Sequence, residues 1–312
     1  MSDYISPARH DLELDLHDRG TAAHLTAPAW VHAPRVPAAT AGIGNRRPLL
    51  FVHGFRGDHH GMDLIAHHLP AHPVMVPDLP GFGLAPPLPG GLTLEGYVAF
   101  VDAAVRAVEA EYGQAPIVVG HSFGSVLAAH WAADHPRASA LVLINPIASS
   151  ALEGPARVGT QLARAYYALG RALPPAAGSA LLSNPGVVRV MSEVMAATSD
   201  PGLRRYIHDQ HARHFSAYAD RASLAQAFDI SVAHTAAEVS ARLVMPVLVI
   251  AGNRDQIAPL GPTQQFIADL PNSTARIFDG VGHLIHYERP EATAQAIAEF
   301  VADIDAVEAG EA

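Results

Sequence analysis

The chain has 312 residues, of which 49% are hydrophobic and 16% charged, so it can bury a large core and is not disordered over most of its length. Its formal net charge of −10 argues against a nucleic-acid-binding protein, which usually carries clustered positive charge. The absence of cysteine in this chain excludes disulfides, zinc–thiolate sites and a thiol nucleophile.

The N-terminal residues carry acidic side chains and no apolar segment, unlike a signal peptide. No uninterrupted apolar run reaches the roughly 18 to 20 residues that a membrane-spanning helix needs. We therefore expect a cytoplasmic protein without a membrane span.

The first segment, residues 1–46, is predicted to be an N-terminal arm. Residues 1–10 are expected to be a loose end. Two apolar stretches, 12–16 and 22–32, predict an antiparallel hairpin, and the proline-, alanine- and glycine-rich residues that follow predict a loop.

Short apolar runs without polar alternation follow, as is typical of strands buried on both faces. They are 48–52, 74–76, 117–119, 141–144, 247–251 and 275–278. Segments with helical spacing of apolar residues lie between them, at 94–112, 123–134 and 291–301. The alternation predicts an α/β fold with a mostly parallel central sheet and helices on both faces.

Residues 147–238 interrupt this alternation with a helical pattern throughout. Asn184-Pro185 and Asp200-Pro201 predict helix starts, because an N-cap side chain precedes a proline in the first turn. We interpret the segment as a helical cap inserted between core strands. The two parts of the core are then 47–146 and 239–304, and 305–312 is expected to be a loose tail.

The sequence Gly120-His-Ser-Phe-Gly124 lies between a predicted buried strand and a predicted helix. This Gly-x-Ser-x-Gly pattern holds a serine on a very tight turn, with glycine where the backbones approach closely. The start of the helix at Phe123 adds free N–H groups and partial positive charge. Ser122 is therefore the candidate nucleophile.

At this point the chain resembles the α/β-hydrolase family over nearly its whole length. His53-Gly54-Phe55 resembles the loop that supplies an oxyanion donor, and the segment 78–83 resembles the turn after the next strand. Gly252-Asn-Arg-Asp255 and Gly282-His283 resemble the acid and base positions. Ser125 departs from the pattern, because many members have a second glycine there.

The resemblance implies a catalytic triad in the chain order Ser122, Asp255, His283. His283 would take the proton of Ser122, and Asp255 would fix the imidazole tautomer. His286 competes as the base, but we place it at the start of the closing helical segment. The oxyanion hole is expected to use the backbone N–H groups of Phe55 and Phe123, beside Gly54.

Three other patterns resemble functional motifs but are weaker evidence for function. Asp58-His-His60 and His67-His68 complete no recognised ligand set, so we expect no metal. Gly81-Phe-Gly83 is interpreted as a tight turn rather than a phosphate loop, and no cofactor is expected. Arg157, Arg164 and Arg171 recur every seven residues, which is typical of a solvated helix face.

These residues predict a serine hydrolase that cleaves an ester-like carbonyl through an acyl-enzyme. The partner is a small molecule with an uncharged, apolar acyl group, and Tyr166, Met191 and Met195 are candidate pocket residues. Serine at the nucleophile position argues against the dehalogenases and epoxide hydrolases that resemble this fold, because those enzymes have aspartate at that position. A carbon–carbon bond hydrolase acting on a vinylogous diketone stays open as the alternative, and a ligand-binding module without catalysis as a third hypothesis.

Overall fold

The structure is a computed structural model that describes residues 5–18, 21–35, 47–152 and 157–310. Its strands are β1 (Ala8–Asp18), β2 (Thr21–His32), β3 (Leu49–Val52), β4 (Val74–Pro77), β5 (Ile117–His121), β6 (Leu141–Ile144), β7 (Val247–Gly252) and β8 (Ser273–Phe278). They form one sheet in the order β1-β2-β4-β3-β5-β6-β7-β8. β2 pairs antiparallel with β1 and β4, and all other pairs are parallel.

The helices are α1 (Asp63–His67), α2 (Leu94–Tyr112), α3 (Phe123–Asp134), α4 (Arg157–Ala172), α5 (Pro175–Leu182), α6 (Pro185–Met195), α7 (Pro201–His214), α8 (Arg221–Ala233), α9 (Leu260–Asp269), α10 (Ile285–Glu288) and α11 (Pro290–Ala309). Short 3₁₀ segments lie at His59–Gly61 and Ala236–Arg242. Within the described ranges, no helix is both long and apolar enough to cross a membrane.

The central strands bury side chains on both faces of the sheet. In β3, Leu50 and Val52 join one apolar core, whereas Leu49 and Phe51 join the other. Residues of α2 and α3 fill the first core, and residues of α1 and α11 fill the second. The predicted α/β architecture is confirmed. Its central strands are apolar at successive positions because helices cover both faces of the sheet.

The predicted N-terminal hairpin forms, but it is longer than predicted. β1 pairs with β2 from Ala8, opposite Val31, so residues 8–10 belong to a strand and not to the loose end expected there. The antiparallel ladder extends because the opposing stretch of β2 is itself held against β4. Most of the predicted loop, residues 36–46, lies outside the described residues.

The C-terminal helix also runs further than predicted. α11 continues to Ala309, through most of the segment expected to be a loose tail. The buried guanidinium of Arg47 explains the extension, because it pairs with Asp305 at 2.7 Å and also with Glu308. Gly310 then ends the helix in the left-handed conformation, with φ of 76°.

Five helices, α4 to α8, lie between β6 and β7, in the segment interpreted as a cap. Both predicted helix starts form: the Asn184 side chain accepts hydrogen bonds from Gly186 and Val187 N–H, and Asp200 accepts one from Leu203 N–H. The segment is not helical throughout, because residues 196–200 form a linker between α6 and α7. The domain boundaries themselves stay predictions.

Candidate active site

The serine turn lies between β5 and α3, and Ser122 adopts φ of 54° and ψ of −119°. Glycines make this turn possible. A Cβ atom on Gly120 would lie 2.4 Å from the Gly124 carbonyl oxygen, and one on Gly124 would lie 2.1 Å from the Val52 carbonyl oxygen. Both approaches are to backbone, so no side chain can yield to relieve them.

Ser125, the departure from the family pattern, has a structural use. Its Oγ donates a hydrogen bond to the Ser122 carbonyl at 2.5 Å and accepts one from Ile147 N–H at 3.2 Å. Serine at this position therefore ties the turn to the first residues of the inserted segment, which a second glycine could not do.

The three predicted triad residues lie together. His283 Nε2 is 2.8 Å from Ser122 Oγ, and His283 Nδ1 is 2.7 Å from Asp255 Oδ2. The other Asp255 oxygen accepts hydrogen bonds from the N–H groups of Ile257 and Ala258. Because the carboxylate accepts, Nδ1 carries the imidazole proton, and Nε2 is left free to accept the serine proton.

Asn145, which follows β6, holds the loop that carries His283. Its Nδ2 donates to the carbonyls of Gly282 and His283, at 3.1 and 2.8 Å, and its Oδ1 accepts from Gly252 N–H at 3.1 Å. The amide side chain therefore joins the loops that carry the acid and the base. Sequence reasoning marked Asn145 only as the end of a strand run.

Glu288 holds the same loop from the other side. Its buried carboxylate accepts hydrogen bonds from Gly282 N–H and from Ala197 and Thr198 N–H, each at 2.8 Å. The last two amides belong to the linker between α6 and α7, which explains why this linker is not helical. No local sequence signal marks Glu288, since two of its three partners, Ala197 and Thr198, are about 90 residues away in the chain.

The loop after β3 lies against the serine turn. A Cβ atom on Gly54 would lie 3.2 Å from Ser122 Cβ, so a side chain there would crowd the nucleophile. His53 holds this loop: its Nε2 accepts from Leu79 N–H and its Nδ1 donates to the Gly54 carbonyl, both at 2.9 Å. Burial lowers the pKa of His53, which keeps the ring neutral and able to accept.

Phe55 and Phe123, the predicted oxyanion-hole donors, lie on the two backbone segments that meet at Ser122. Phe123 is the first residue of α3, so its N–H has no acceptor within the helix. The Phe55 ring packs edge-to-face on Phe82 and Tyr167, at centroid distances of 5.7 and 5.8 Å. Their role as donors stays a prediction.

Arg56 fastens this loop to the inserted helices. Its guanidinium is buried, and it donates from Nε to the Phe215 carbonyl and from Nη2 to the Leu182 carbonyl, both at 2.9 Å. Its Nη1 donates to the Tyr167 hydroxyl at 3.3 Å. Three separate parts of the inserted segment are thereby joined to the residue that follows Phe55.

A cavity of about 510 Å³ opens at the serine, between the core and the inserted helices. Ser122, His283, Met191 and Met195 all lie in its wall. Tyr166, predicted to line it, does not do so in the described structure, because its ring turns away and its hydroxyl donates to the Leu181 carbonyl at 2.9 Å. The adjacent Tyr167 lines the cavity instead.

A second group of titratable residues lies at the edge of the cavity. Asp58, His59 and His60 place potential metal-ligand atoms within 4.8 Å of one another. These atoms already have partners: Asp58 Oδ1 contacts His60 Nδ1 at 3.1 Å, and His59 Nδ1 contacts Asp78 at 2.9 Å. Burial opposes ionisation of Asp58, but hydrogen bonds from His214 and His60 outweigh it and lower the Asp58 pKa. The expectation of no metal stays a prediction.

The remaining sequence patterns have ordinary structural places. Gly81 and Gly83 both have positive φ, 87° and 56°, as expected of a tight turn. On α4, Arg164 pairs with Asp229 at 3.3 Å and Arg171 is exposed, while the side chain of Arg157 lies outside the description. His286 lies in α10, just before the closing helix α11.

Comparison with known proteins gives three informative relatives. A pimeloyl-[acyl-carrier protein] methyl ester esterase of Xanthomonas campestris pv. campestris is 29% identical over 83% of this chain and 97% of its own length. Lipase LipV of Mycobacterium tuberculosis is 38% identical over 108 residues, 34% of this chain and 39% of that protein. A solved structure of a thermophilic esterase from Thermogutta terrifontis has a TM-score of 0.72 and 19% identity, covering 95% of this chain and 99% of that one, which shows a shared fold.

The family model described as "alpha/beta hydrolase fold" matches residues 47–290. This range includes the serine turn, the loop after β3, the inserted helices and the loops that carry Asp255 and His283. The chain is a hydrolase and belongs to the α/β-hydrolase fold family.

Proposed function

We propose that the protein is a serine ester hydrolase that works through an acyl-enzyme, with Ser122 as nucleophile, His283 as base and Asp255 as the supporting acid. The continuous hydrogen-bond chain from Ser122 through His283 to Asp255 carries this proposal, with distances of 2.8 and 2.7 Å. A serine hydroxyl is a weak nucleophile until an adjacent base accepts its proton.

In the proposed reaction, Ser122 Oγ bonds to the ester carbonyl carbon as its proton passes to His283 Nε2. The N–H groups of Phe55 and Phe123 bind the oxyanion that forms. The bond between the former carbonyl carbon and the alkoxy oxygen then breaks, and His283 donates its proton to the leaving alkoxide. Water attacks the acyl-enzyme by the same route, releasing the carboxylic acid and restoring Ser122.

We also propose that the segment 147–238 acts as a cap that shapes the acyl pocket. Residues of α4, α6, α7 and α8 line the cavity, among them Tyr167, Met191, His211 and Phe228. The wall is largely apolar, and methionine adapts to ligands of different shape. An uncharged, apolar acyl group fits such a wall, in keeping with the ester-cleaving relatives.

Labelling with a fluorophosphonate, read by intact mass and peptide mapping, tests the proposal. We expect one label per chain, on Ser122, and none on the Ser122→Ala variant. A panel of 4-nitrophenyl esters of increasing acyl length then measures kcat/KM. An unlabelled, folded wild-type protein that also leaves every ester intact would overturn the assignment.

A further inference from the structure

Five histidines outside the proposed triad line the cavity: His53, His121, His211, His214 and His286. Of these, His121, His211 and His286 form one group beside the proposed base. The His121 ring lies 5.4 Å from the His283 ring and 4.5 Å from the His286 ring, centroid to centroid. His211 packs on Tyr287, the neighbour of His286, at 6.0 Å. The proposed reaction uses none of them, although they continue the wall that begins at the base.

The nitrogen atoms of these rings differ in their partners. His121 Nε2 contacts the His283 carbonyl at 3.2 Å, and His211 Nδ1 contacts Ser192 Oγ at 2.8 Å. His286 Nδ1 is buried and has no hydrogen-bond partner in the part of the chain that the structure describes. Buried polar atoms are nearly always paired, so this unpaired nitrogen, on a ring that lines the cavity, marks His286 as a side chain whose hydrogen-bonding capacity a ligand can satisfy.

All three rings are neutral. Burial lowers the pKa of His121 to about 3 and that of His211 to about 4, and it holds the pKa of His286 well below 6.5. A neutral imidazole offers one N–H donor and one lone-pair acceptor but no charge. Such a wall suits a neutral oxygen, which can accept or donate a hydrogen bond, better than a carboxylate, whose charge it cannot offset.

We infer that His286, beside His121, forms a polar subsite that binds a ketone or hydroxyl oxygen carried by the acyl chain, beyond the ester carbonyl. Because Nδ1 is buried, contact between it and a ligand requires the ring to turn about its last torsion, and a half turn exchanges Nδ1 with Cδ2 and Nε2 with Cε1. The inference rests on the proposed function, because it specifies the acyl group of the same reaction.

Ester pairs that differ only in this oxygen test the subsite. We would measure kcat/KM for 4-nitrophenyl hexanoate and for its 3-oxo, 4-oxo and 5-oxo derivatives, each corrected for spontaneous hydrolysis. The wild type is expected to prefer one oxo ester over hexanoate. In His286→Phe, which keeps a ring but removes both nitrogen atoms, kcat/KM for that ester should fall roughly tenfold further than for hexanoate. His286→Asn, which restores a donor and an acceptor, should recover part of the preference.

His211→Phe is the matched control, since it makes the same change in the same wall at a ring whose Nδ1 already has a partner. It is expected to alter both esters alike. Equal losses for both esters in His286→Phe, or no oxo preference in the wild type, would overturn the subsite while leaving the ester hydrolase proposal standing. Binding of the methyl esters of hexanoic acid and of the same oxo acids to Ser122→Ala, measured by calorimetry, gives the same comparison without turnover. If the wild type fails to label and fails to hydrolyse, the proposed function falls, and this binding comparison still decides the subsite.

Discussion

Ser122 occupies a backbone conformation that few side chains adopt, and the residues around it keep it there. A positive φ outside the usual regions costs about 1–3 kcal/mol for a residue other than glycine. Hydrogen bonds offset part of this cost: Ser122 N–H donates to the Ile144 carbonyl at 3.0 Å, and the Ser122 carbonyl accepts from Ser125. The Ser122 hydroxyl is thereby held at the carboxyl end of β5, within hydrogen-bonding distance of His283.

The proposed role of Asp255 in supporting His283 can be tested with a variant that is expected to keep the fold. In Asp255→Asn, one side-chain oxygen still accepts from Ile257 and Ala258 N–H, but the amide presented to His283 Nδ1 donates rather than accepts. The imidazole must then change tautomer, which places a proton on the nitrogen that faces Ser122. We expect kcat to fall roughly 10⁴-fold, measured with the best ester of the panel.

Asp269→Asn is the control for this change, because Asp269 is exposed at the end of α9 and contacts only Gln265 among the described side chains. Its kcat should match the wild type. The urea midpoint of Asp255→Asn should stay close to that of the wild type, which would show that the fold is kept. Activity within tenfold of the wild type would mean that another group supports His283.

At the scale of elements, the sequence predicts what depends on local pattern. β3 and β5 to β7 are apolar runs because both faces are buried, and α2 and α3 begin and end at the predicted residues. The serine turn follows from the spacing of its glycines. The contacts of Asn145 and Glu288 could not be predicted, because they join backbone groups far apart in the chain. The local pattern also could not predict that Tyr167 and not Tyr166 lines the cavity, because the rotation of α4 depends on tertiary packing.

Glu288 couples two elements, the loop that carries His283 and the linker between α6 and α7. Glu288→Ala leaves three backbone N–H groups without their acceptor, each of which costs about 1–3 kcal/mol if it stays buried. We expect a loss of at least about 3 kcal/mol in the free energy of unfolding, measured by urea denaturation. Glu288→Gln keeps one acceptor oxygen and should lose less.

The same variants test whether this contact also positions the base. In Glu288→Gln, the oxygen can still accept from Ala197 and Thr198, but the amide nitrogen faces Gly282 N–H. We expect kcat to fall while KM changes little, because the loop that carries His283 moves while the inserted helices that line the rest of the cavity stay in place. Glu299→Gln, at an exposed position on α11, is the control. A lower stability with an unchanged kcat would assign Glu288 a structural role alone.

At the scale of the whole molecule, polar contacts on two sides of the cavity join the core to the inserted helices. Arg56 joins the loop after β3 to α5 and to the end of α7. Glu288 joins the loop that carries His283 to the linker before α7. Both contacts lie beside groups assigned to catalysis. The inserted segment is therefore attached both to the loop after β3 and to the loop that carries His283, so its position is linked to the geometry of the proposed reaction.

The buried histidines predict how the stability of the whole molecule varies with pH. Burial lowers the pKa of His53, His121, His211 and His286, so below pH 6.5 the unfolded chain binds protons that the folded chain does not. Stability must therefore fall as the pH falls, by up to about 1.4 kcal/mol per pH unit for each ring. His60 has the opposite sign: burial opposes its protonation, but the hydrogen bond to Asp58 and the negative charges of Asp58, Asp63 and Asp78 together outweigh burial and raise the pKa of His60.

His286→Phe isolates one of these rings. Burial and the neighbouring imidazoles of His121, His211 and His283 all lower the pKa of His286, so the folded state resists protonation of this ring. Removing it should reduce the difference in unfolding free energy between pH 7 and pH 5 by about 2 kcal/mol, the linkage expected for one proton excluded from the folded state over that range. Urea denaturation at the two pH values measures the difference. Phe300→Leu, a core change without a titratable group, should lower stability equally at both. An unchanged difference in His286→Phe would mean that this imidazole takes up a proton inside the folded protein.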